Sequence, residues 1–316
     1  MMGTQKKTKV FIDGGSGTTG LRIHNRLESR GDIELMTISE ERRKEPSARL
    51  EMLMHSDVTF LCLPDDAAKE AVIAAGNADT VIIDTSTAHR TAEGWTYGFP
   101  DLSEEFKAKV KTSKRIAVPG CHASGFIALI YPLVKSGIID AAASLSCFSV
   151  TGYSGGGKKM IAEYESLGRD TLLSTPIQYG LTQQHKHLNE MKCIPGLDSF
   201  PIFCPVVSDF YSGMHVTIPL PSSMLKSGFN VDDIKKTYKF AYSGPIVTYS
   251  DNPAKNGFLA AGTLSGKDSM IISVFGNEER IILSAIYDNL GKGASGTAIE
   301  CLNLVSGNDI DKGLEL

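Results

Sequence analysis

The chain has 316 residues, of which 42% are hydrophobic and 22% charged, and its formal net charge is −4. This composition is ordinary for a globular enzyme, and the length favours two domains. A negative balance disfavours a nucleic-acid surface, and no apolar stretch reaches the roughly 18 residues that a membrane span needs. The N-terminus lacks the apolar core of a secretory signal. We expect a globular protein with neither nucleic-acid nor membrane partners.

The six cysteines are scattered along the chain without a C-x-x-C pair. Such spacing fits neither a zinc site nor a disulfide framework. A reducing cytoplasm is the simplest setting for these thiols. We therefore predict a cytoplasmic protein that holds no metal.

The first third of the chain alternates between strand and helix patterns. Short apolar runs predict four strands, at KVFIDGG, IELMTIS, VTFLCLP and TVIIDTS. Between them, SGTTGLRIHNRLESRG and AAKEAVIAAG show the spacing of helices. Strict alternation of this kind predicts a parallel sheet with right-handed crossovers.

Glycines occupy the first strand-to-helix turn, where a dinucleotide-binding domain needs them. Gly15, Gly17 and Gly20 fit G-x-G-x-x-G, and Gly14, Gly17 and Gly20 fit G-x-x-G-x-x-G. Without Cβ atoms, the backbone can approach a pyrophosphate at the helix N-terminus. The alternative is a plain glycine turn. We predict that the cofactor contacts the whole turn, namely Gly14, Gly15, Ser16, Gly17, Thr18, Thr19 and Gly20.

The segment after the second strand bears on the choice of cofactor. Glu40 could hold the ribose hydroxyls of NAD, whereas Ser39, Arg42 and Arg43 could hold the 2′-phosphate of NADP. The alternative without a cofactor is a solvated, charged start of a helix. We predict NADP (as NADPH).

The next two strand ends should face the nicotinamide or the substrate, since ligands lie at the carboxyl ends of strands in open α/β sheets. The third strand ends in CLPDD, which makes Pro64 a cofactor candidate. The fourth ends in DTSTAHR, with Ser86 and Arg90 as substrate candidates. Arg90 could clamp an anion or form a surface salt bridge.

Cys121 stands in RIAVPGCHASGFIALIYPLVKSG, which reads as a strand, a tight turn and a helix from about Ala123 to Lys135. A cysteine at a helix N-terminus has its pKa lowered by free N–H groups and the helix dipole. We predict that Cys121 is a nucleophile; the alternative is a buried structural thiol. A thiolate beside a nicotinamide suggests attack on an acyl carbon followed by hydride exchange.

Acyl chemistry also needs a general acid or base. His185 and His187 in QQHKHLNEM are the better candidates, and Glu190 could orient His187 across one helical turn. His122 is adjacent to Cys121 and a substrate candidate, while His215 alternates with apolar residues on a strand.

A glycine-rich loop follows in SVTGYSGGGKKM, where Ser154 and Lys158 or Lys159 could hold phosphate or carboxylate. The loop does not satisfy the Walker pattern, and its alternative reading is a flexible loop.

The second half of the chain predicts a different architecture. MHVTIPL reads as a strand, NVDDIKKTYKFAYSG as a helix, and MIISVFGNEERIILSAIYDN as a hairpin turning at Gly276-Asn277. A last helix begins near Gly293 and returns to the first domain, which makes Asn289 and Gly293 cofactor candidates. We predict a nucleotide domain of residues 1–118 plus 288–316 and a catalytic domain of 119–287. A second subunit would cover the open sheet face.

Several segments together resemble the shorter form of the N-acetyl-γ-glutamyl-phosphate reductases, in the aspartate-semialdehyde dehydrogenase-like superfamily. The segments are DGGSGTTGLRI, CLPDDAAKEAV, IDTSTAHR, VPGCHASGFIALIYPL, TGYSGGGKKMI, YGLTQQHKHLNEM and NLGKGASGTAIECLNLV. The resemblance implies a Rossmann-type α/β domain joined to an α+β catalytic and dimerisation domain with a mixed, largely antiparallel sheet.

The resemblance also implies NADPH-dependent reductive dephosphorylation of N-acetyl-γ-glutamyl phosphate, in arginine biosynthesis. The family's nucleophile falls on Cys121, its H-x-H-x-x-E segment on His185, His187 and Glu190, and its acid/base role on His187. Inorganic phosphate would be released, and a homodimer or homotetramer is expected. The alternatives are an aspartate-semialdehyde dehydrogenase or another acyl-phosphate reductase of the same superfamily, a thiol hydrolase, and a non-catalytic NADP-binding regulator.

Overall fold

The strands form two sheets in a computed structural model that describes residues 7–39, 41–42 and 45–316. In chain order the strands are β1 (Thr8–Asp13), β2 (Ile33–Met36), β3 (Val58–Leu61), β4 (Val81–Asp84), β5 (Thr96–Tyr97), β6 (Arg115–Ala117), β7 (Ser146–Gly152), β8 (Ile177–Gln178), β9 (Ile202–Ser208), β10 (Met214–Pro221), β11 (Val247–Tyr249), β12 (Met270–Gly276) and β13 (Arg280–Tyr287).

The helices lie against these sheets and include the predicted ones. In chain order they are α1 (Thr18–Leu27), α2 (Pro46–His55), α3 (Asp65–Ala75), α4 (Glu104–Thr112), α5 (Cys121–Lys135), α6 (Gly157–Glu165), α7 (Leu188–Cys193), α8 (Val231–Ala241) and α9 (Gly296–Val305). In the residues that the structure covers, no helix combines the length and hydrophobicity needed to cross a membrane.

The first sheet is parallel throughout, with strand order β2-β1-β3-β4-β6-β5. From β1 the chain first adds β2 on one side and then returns to add β3 on the other side of β1, so the direction of strand addition reverses there. Ligands bind in the crevice at such a reversal, beyond the carboxyl ends of the strands. The glycine turn after β1 and the segment after β3 therefore border the expected cofactor crevice.

The last helix packs on this first sheet, as the sequence predicts. Ala298, Ile299 and Leu302 of α9 share an apolar cluster with Val10 and Phe60. A π-helical turn, Gly291–Ser295, precedes α9, so the α-helix begins three residues later than the expected Gly293. The carboxylate of Asp288 accepts hydrogen bonds from the N–H groups of Leu290 (2.8 Å) and Gly291 (2.7 Å), which supports the start of this turn.

Lys292 is fully buried within the π-helical turn. Its Nζ lies 2.5 Å from Oδ2 of Asp101 and 2.5 Å from Oε2 of Glu300. It also lies over the ring of Phe99, 4.8 Å from the centroid. The charged triad of Lys292, Asp101 and Glu300 thus joins the turn, α9 and the segment before α4.

The second sheet is mixed, with order β11-β12-β13-β10-β7-β9-β8. Strands β12 and β13 form the predicted hairpin, and Gly276 has the positive φ (+102°) that its turn requires. Helix α5 is apolar nearly all round because it is buried between this sheet and other elements. The other sheet face leaves Phe148 (50% exposed), Ile202 (61%) and Ile282 without cover.

Candidate active site

The turn after β1 can be made only with glycine at two of its positions. Gly14 has φ +84°, and a Cβ there would collide with the carbonyl of Cys62. A Cβ on Gly20 would lie 2.6 Å from the carbonyl oxygen of Gly14, whereas one on Gly15 would make only ordinary contacts. The geometry therefore favours the G-x-x-G-x-x-G reading, with Gly17 as the residue before α1.

A groove of about 480 Å³ runs along the outer side of this turn. Gly14, Gly15 and Ser16 line it, together with Arg49, which the sequence did not single out. Arg49 binds the carboxylate of Asp13 at the end of β1, at 2.6–3.1 Å.

Of the predicted 2′-phosphate residues, the two that the structure describes, Ser39 and Arg42, do not line this groove. Arg42 instead pairs with Glu45 (3.2 Å), just before α2, and with Glu51 (3.0 Å), within that helix. Ser39 accepts a backbone hydrogen bond from Arg42. Arg43 and Glu40 lie outside the described residues.

A second cavity of about 570 Å³ lies on the inner side of the turn. Residues of the turn and the predicted strand-end residues line this cavity together. They are Gly17, Thr18, Thr19 and Gly20 from the turn, and Pro64, Ser86 and Arg90 from the strand ends. The Ser86 hydroxyl donates to the carboxylate of Asp84 (2.7 Å), which fixes the loop that carries Arg90.

Cys121 opens onto a third cavity of about 670 Å³. Helix α5 begins at Cys121 itself, two residues before the expected start. Gly120 must be glycine, because a side chain there would meet the guanidinium of Arg90, Nε2 of His187 and Oε1 of Glu190. Thr18, Thr19 and Arg90 line both this cavity and the second one, so the thiol and the glycine turn share one cleft.

Glu190 does not orient His187, contrary to the prediction. Its carboxylate accepts hydrogen bonds from Arg90 Nη1 (2.8 Å), the Tyr97 hydroxyl (2.7 Å) and the Gly120 N–H (3.0 Å). A charged guanidinium is a stronger partner for a buried carboxylate than a neutral imidazole. His187 lies just before α7, and its buried Nδ1 has no hydrogen-bond partner among the described residues.

Arg90 is neither a free anion clamp nor a surface salt bridge. It is buried, its Nε donates to the Val118 carbonyl (2.9 Å), and its Nη2 donates to the Thr85 carbonyl (3.2 Å). With Glu190 it forms an internal ion pair directly behind the Pro-Gly-Cys turn.

The Cys121 thiol also differs from expectation. Although part of its surface faces the cavity, burial raises its pKa to about 11, and the charge of Glu190 acts in the same direction. Arg90, the N–H of His122 and Lys186 lower the pKa but do not compensate. Desolvation outweighs the helix N-terminus in the structure without ligands.

Three histidines surround this thiol in the cavity lining, and burial lowers the pKa of each. His122 is held at Nδ1 by Ser149 (2.6 Å) and at Nε2 by Tyr179 (2.6 Å), and its pKa falls to about 3. The pKa of His185 falls to about 4, and that of His187 lies well below its usual value. All three imidazoles are therefore neutral near pH 7.

His215 lies apart from this cluster. It pairs with Ser284 (2.9 Å) on the open face of the second sheet and does not line the cavity.

The glycine-rich loop borders the cleft, but its lysines do not enter it. Gly155 and Gly156 line both the second and third cavities, whereas Lys158 is exposed on α6 and Ser154 is buried behind the loop against Asn289 Nδ2 (3.0 Å). The lysine that lines both cavities is instead Lys186, between the two histidines. Its position between His185 and His187 was the one sequence signal that could have found it.

Asn289 and Gly293, the two cofactor candidates near the last helix, lie on the wall of the third cavity. Gly293 packs against the nucleophile candidate, since a Cβ there would lie 3.0 Å from Cβ of Cys121. Tyr287, just before them, donates its hydroxyl to the Cys121 carbonyl (2.5 Å) and accepts from the Gly125 N–H (3.1 Å). It braces the first turn of α5 and was not identified from the sequence.

Comparison with known proteins agrees with this architecture. Two family models match, the semialdehyde dehydrogenase NAD binding domain over residues 9–109 and the semialdehyde dehydrogenase dimerisation domain over residues 121–289. Among solved structures, aspartate semialdehyde dehydrogenase II of Vibrio cholerae superposes with a TM-score of 0.73 at 16% identity, covering 96% of this chain and 99% of that one. The Candida albicans enzyme, solved with NADP, gives a TM-score of 0.68 at 16% identity, covering 96% and 100%. These structures share the fold.

Curated relatives are considerably more similar in sequence. N-acetyl-γ-glutamyl-phosphate reductase 2 of a Nostoc species is 40% identical, covering 98% of this chain and 99% of its own. The N-acetyl-γ-glutamyl-phosphate reductases of Mesorhizobium japonicum and Allorhizobium ampelinum are 42% and 43% identical, covering 95% and 94% of this chain and 99% and 98% of theirs. The chain therefore belongs to the N-acetyl-γ-glutamyl-phosphate reductase family of semialdehyde dehydrogenases.

Proposed function

We propose that this protein reduces N-acetyl-γ-glutamyl phosphate to N-acetylglutamate semialdehyde with NADPH, releasing inorganic phosphate, as a step in arginine biosynthesis. The observation that carries the proposal is the shared cleft, in which Cys121, three neutral histidines and the glycine turn line continuous cavities. The named relatives, at about 40% identity over nearly the whole chain, support the substrate.

The turn after β1 fits a dinucleotide. Its backbone is packed so closely at Gly14 and Gly20 that no Cβ fits, which makes the tight turn into α1, and the N-terminus of α1 can receive a pyrophosphate. We assign the pyrophosphate to Gly14–Gly20 and the nicotinamide end to Pro64, Asn289 and Gly293. Ser39, Arg42 and Arg43 stay our candidates for the 2′-phosphate.

Cys121 is the proposed nucleophile. Its Sγ attacks the γ-acyl carbon, the bond from that carbon to the phosphate oxygen breaks, and phosphate leaves with the electron pair. His187 takes the thiol proton and passes it to the departing phosphate. When bound, NADPH supplies the hydride that reduces the acyl carbon to the aldehyde level. The C–S bond then breaks, the semialdehyde leaves, and His187 returns a proton from solvent to the sulfur.

Two features support His187 in this role. Its Nε2 packs against Gly120, one residue before the nucleophile, and no described residue uses its Nδ1 as a hydrogen-bond partner. His122 has both ring nitrogens occupied, which suits it to shaping the cavity beside Tyr179. His185 is the alternative base. Ser86 and Arg90, which line the second cavity, stay substrate candidates, whereas Ser154 and Lys158 do not line the cleft.

The rival functions leave parts of the site unexplained. A thiol hydrolase would not need the glycine turn, and a regulator without chemistry would not need a thiol within a histidine cluster. An aspartate-semialdehyde dehydrogenase would turn over β-aspartyl phosphate in preference to the N-acetylglutamyl substrate. The match to a dimerisation domain and the apolar open sheet face support a homo-oligomer, which we propose is a dimer or tetramer.

Two further assignments belong to the proposal. Because α9 packs in the apolar cluster of the first sheet, we assign residues 1–118 and 288–316 to the nucleotide domain and 119–287 to the catalytic domain. We also place the protein in the cytoplasm, where a reducing environment would keep the Cys121 thiol active.

The decisive assay is phosphate-dependent reduction of NADP⁺ with N-acetylglutamate semialdehyde, set against aspartate semialdehyde. We expect turnover of the first substrate, and Cys121→Ser should lower it at least about 10³-fold while the fluorescence of bound NADPH persists. Cys193→Ser, at an exposed cysteine, is the matched control. Full activity of Cys121→Ser would contradict the mechanism. A larger loss in His185→Gln than in His187→Gln would move the acid/base role to His185.

A further inference from the structure

The third cavity extends beyond the reacting thiol to a wall that the mechanism does not use. This wall is apolar and contains Met160, Tyr164, Leu173, Ile177 and Val207. Neither proton transfer nor the glycine turn requires apolar side chains at this end of the cleft. The wall therefore faces a part of the substrate that does not react.

Four elements hold these side chains in place. Met160 and Tyr164 lie on α6, Leu173 lies in the 3₁₀ turn Thr171–Ser174, and Ile177 lies in β8. Ile177 is paired with Val207 across β8 and β9, so both residues point to one side of the sheet. Tyr164 is stacked on Tyr153 with ring centroids 4.6 Å apart, which fixes its ring in the wall.

Carboxylates near the cavity are poorly placed to receive a free ammonium group. Both oxygens of Glu190 are already used by Arg90, Tyr97 and Gly120, and the residue is only 1% exposed. Among the described residues, the acidic side chain that lines the cavity is Glu163. It is exposed, and its Oε1 lies 4.0 Å from Nζ of Lys159. An uncharged N-acyl group fits this surface better than a cation.

We propose that Met160, Leu173 and Ile177 form the subsite for the acyl group on the substrate's α-nitrogen, and that Leu173 and Ile177 limit its length. This inference rests on the proposed function and adds residues that decide specificity. The acetyl methyl packs on the three side chains, and a longer acyl chain meets Leu173 and Ile177. A site of this kind discriminates by volume, and one methylene in an apolar pocket changes kcat/KM by roughly 10–200-fold.

The test compares N-acetyl- and N-propionylglutamate semialdehyde in the phosphate-dependent reduction of NADP⁺. Leu173→Ala and Ile177→Ala should each raise the propionyl-to-acetyl ratio of kcat/KM about tenfold, because the space that each truncation creates accommodates one more methylene. Leu172→Ala is the matched control: Leu172 is 66% exposed, adjacent in sequence and outside the lining, so its ratio should equal that of the wild type.

Leu173→Phe provides the opposite change. It should lower kcat/KM for the acetyl substrate while the rate of Cys121 alkylation by iodoacetamide stays at the wild-type value. Unchanged ratios in both alanine variants, or the same shift in Leu172→Ala, would overturn the subsite. Failure of the proposed function would look different, because the wild type would then not turn over the N-acetyl substrate.

Discussion

Replacing Glu190 with Gln tests whether the buried carboxylate holds the Pro-Gly-Cys turn. The carboxylate accepts three hydrogen bonds, from Arg90 at 2.8 Å, Tyr97 at 2.7 Å and Gly120 at 3.0 Å. An amide of the same shape turns at least one of these contacts into a donor–donor clash and leaves the buried guanidinium without its counter-charge. Removing one partner of a buried pair costs about 3–5 kcal/mol, so the free energy of unfolding should fall by that amount.

Urea unfolding of Glu190→Gln beside Tyr97→Phe measures this loss. Tyr97→Phe removes one hydrogen bond and keeps the ion pair, so it should cost only about 1 kcal/mol. The thiol offers a second readout, because the charge of Glu190 raises the pKa of Cys121. Its removal should lower that pKa and shift iodoacetamide alkylation to lower pH.

Equal stability of Glu190→Gln and Tyr97→Phe would refute the reasoning about the ion pair. An alkylation profile that stays in place or moves to higher pH would refute the electrostatic part.

Two further predictions concern groups packed around the thiol. His122 has a folded pKa of about 3 against an ordinary 6.5, so the unfolded chain binds a proton that the folded chain does not. As the pH is lowered from 6.5 to 5, this residue should reduce the free energy of unfolding by about 2 kcal/mol. A urea midpoint that does not change over that range would contradict the prediction. Tyr287→Phe should cost about 1–3 kcal/mol, because the N–H of Gly125 and the carbonyl of Cys121 lose the hydroxyl; unchanged thermal unfolding would contradict that brace.

Much of the fold could be predicted because its signals are local. Short apolar runs predicted β1, β2, β3 and β4 of the first sheet, though not β5, and the glycine at 276 predicted the hairpin. The position of Cys121 at the start of a helix likewise follows from the Pro-Gly before it and the apolar run after it. Periodicity and turn residues act over a few positions, so the sequence displays them directly.

The partners of the site residues could not be predicted, because they come from distant parts of the chain. Tyr97 reaches Glu190 across 93 positions, and Tyr287 reaches Cys121 across 166. Spacing alone suggested that Glu190 serves His187, yet tertiary packing offered it the guanidinium of Arg90. The direction of the Cys121 pKa was wrong for the same reason, since burial is a property of the whole fold.

The charged triad of Lys292, Asp101 and Glu300 binds protons more tightly than the same side chains would in water. Two carboxylates share one ammonium group there, and burial raises the pKa of Glu300 well above its usual value while the pKa of Lys292 also rises. Folding therefore strengthens proton binding at Glu300, so the stability that this group contributes is greatest in acid and declines as the pH rises through its folded pKa. The histidines around Cys121 release protons on folding in mild acid. The π-helical turn carries Lys292 and also packs against Cys121 through Gly293, so it lies between two sets of buried groups whose contributions to stability change with pH in opposite directions.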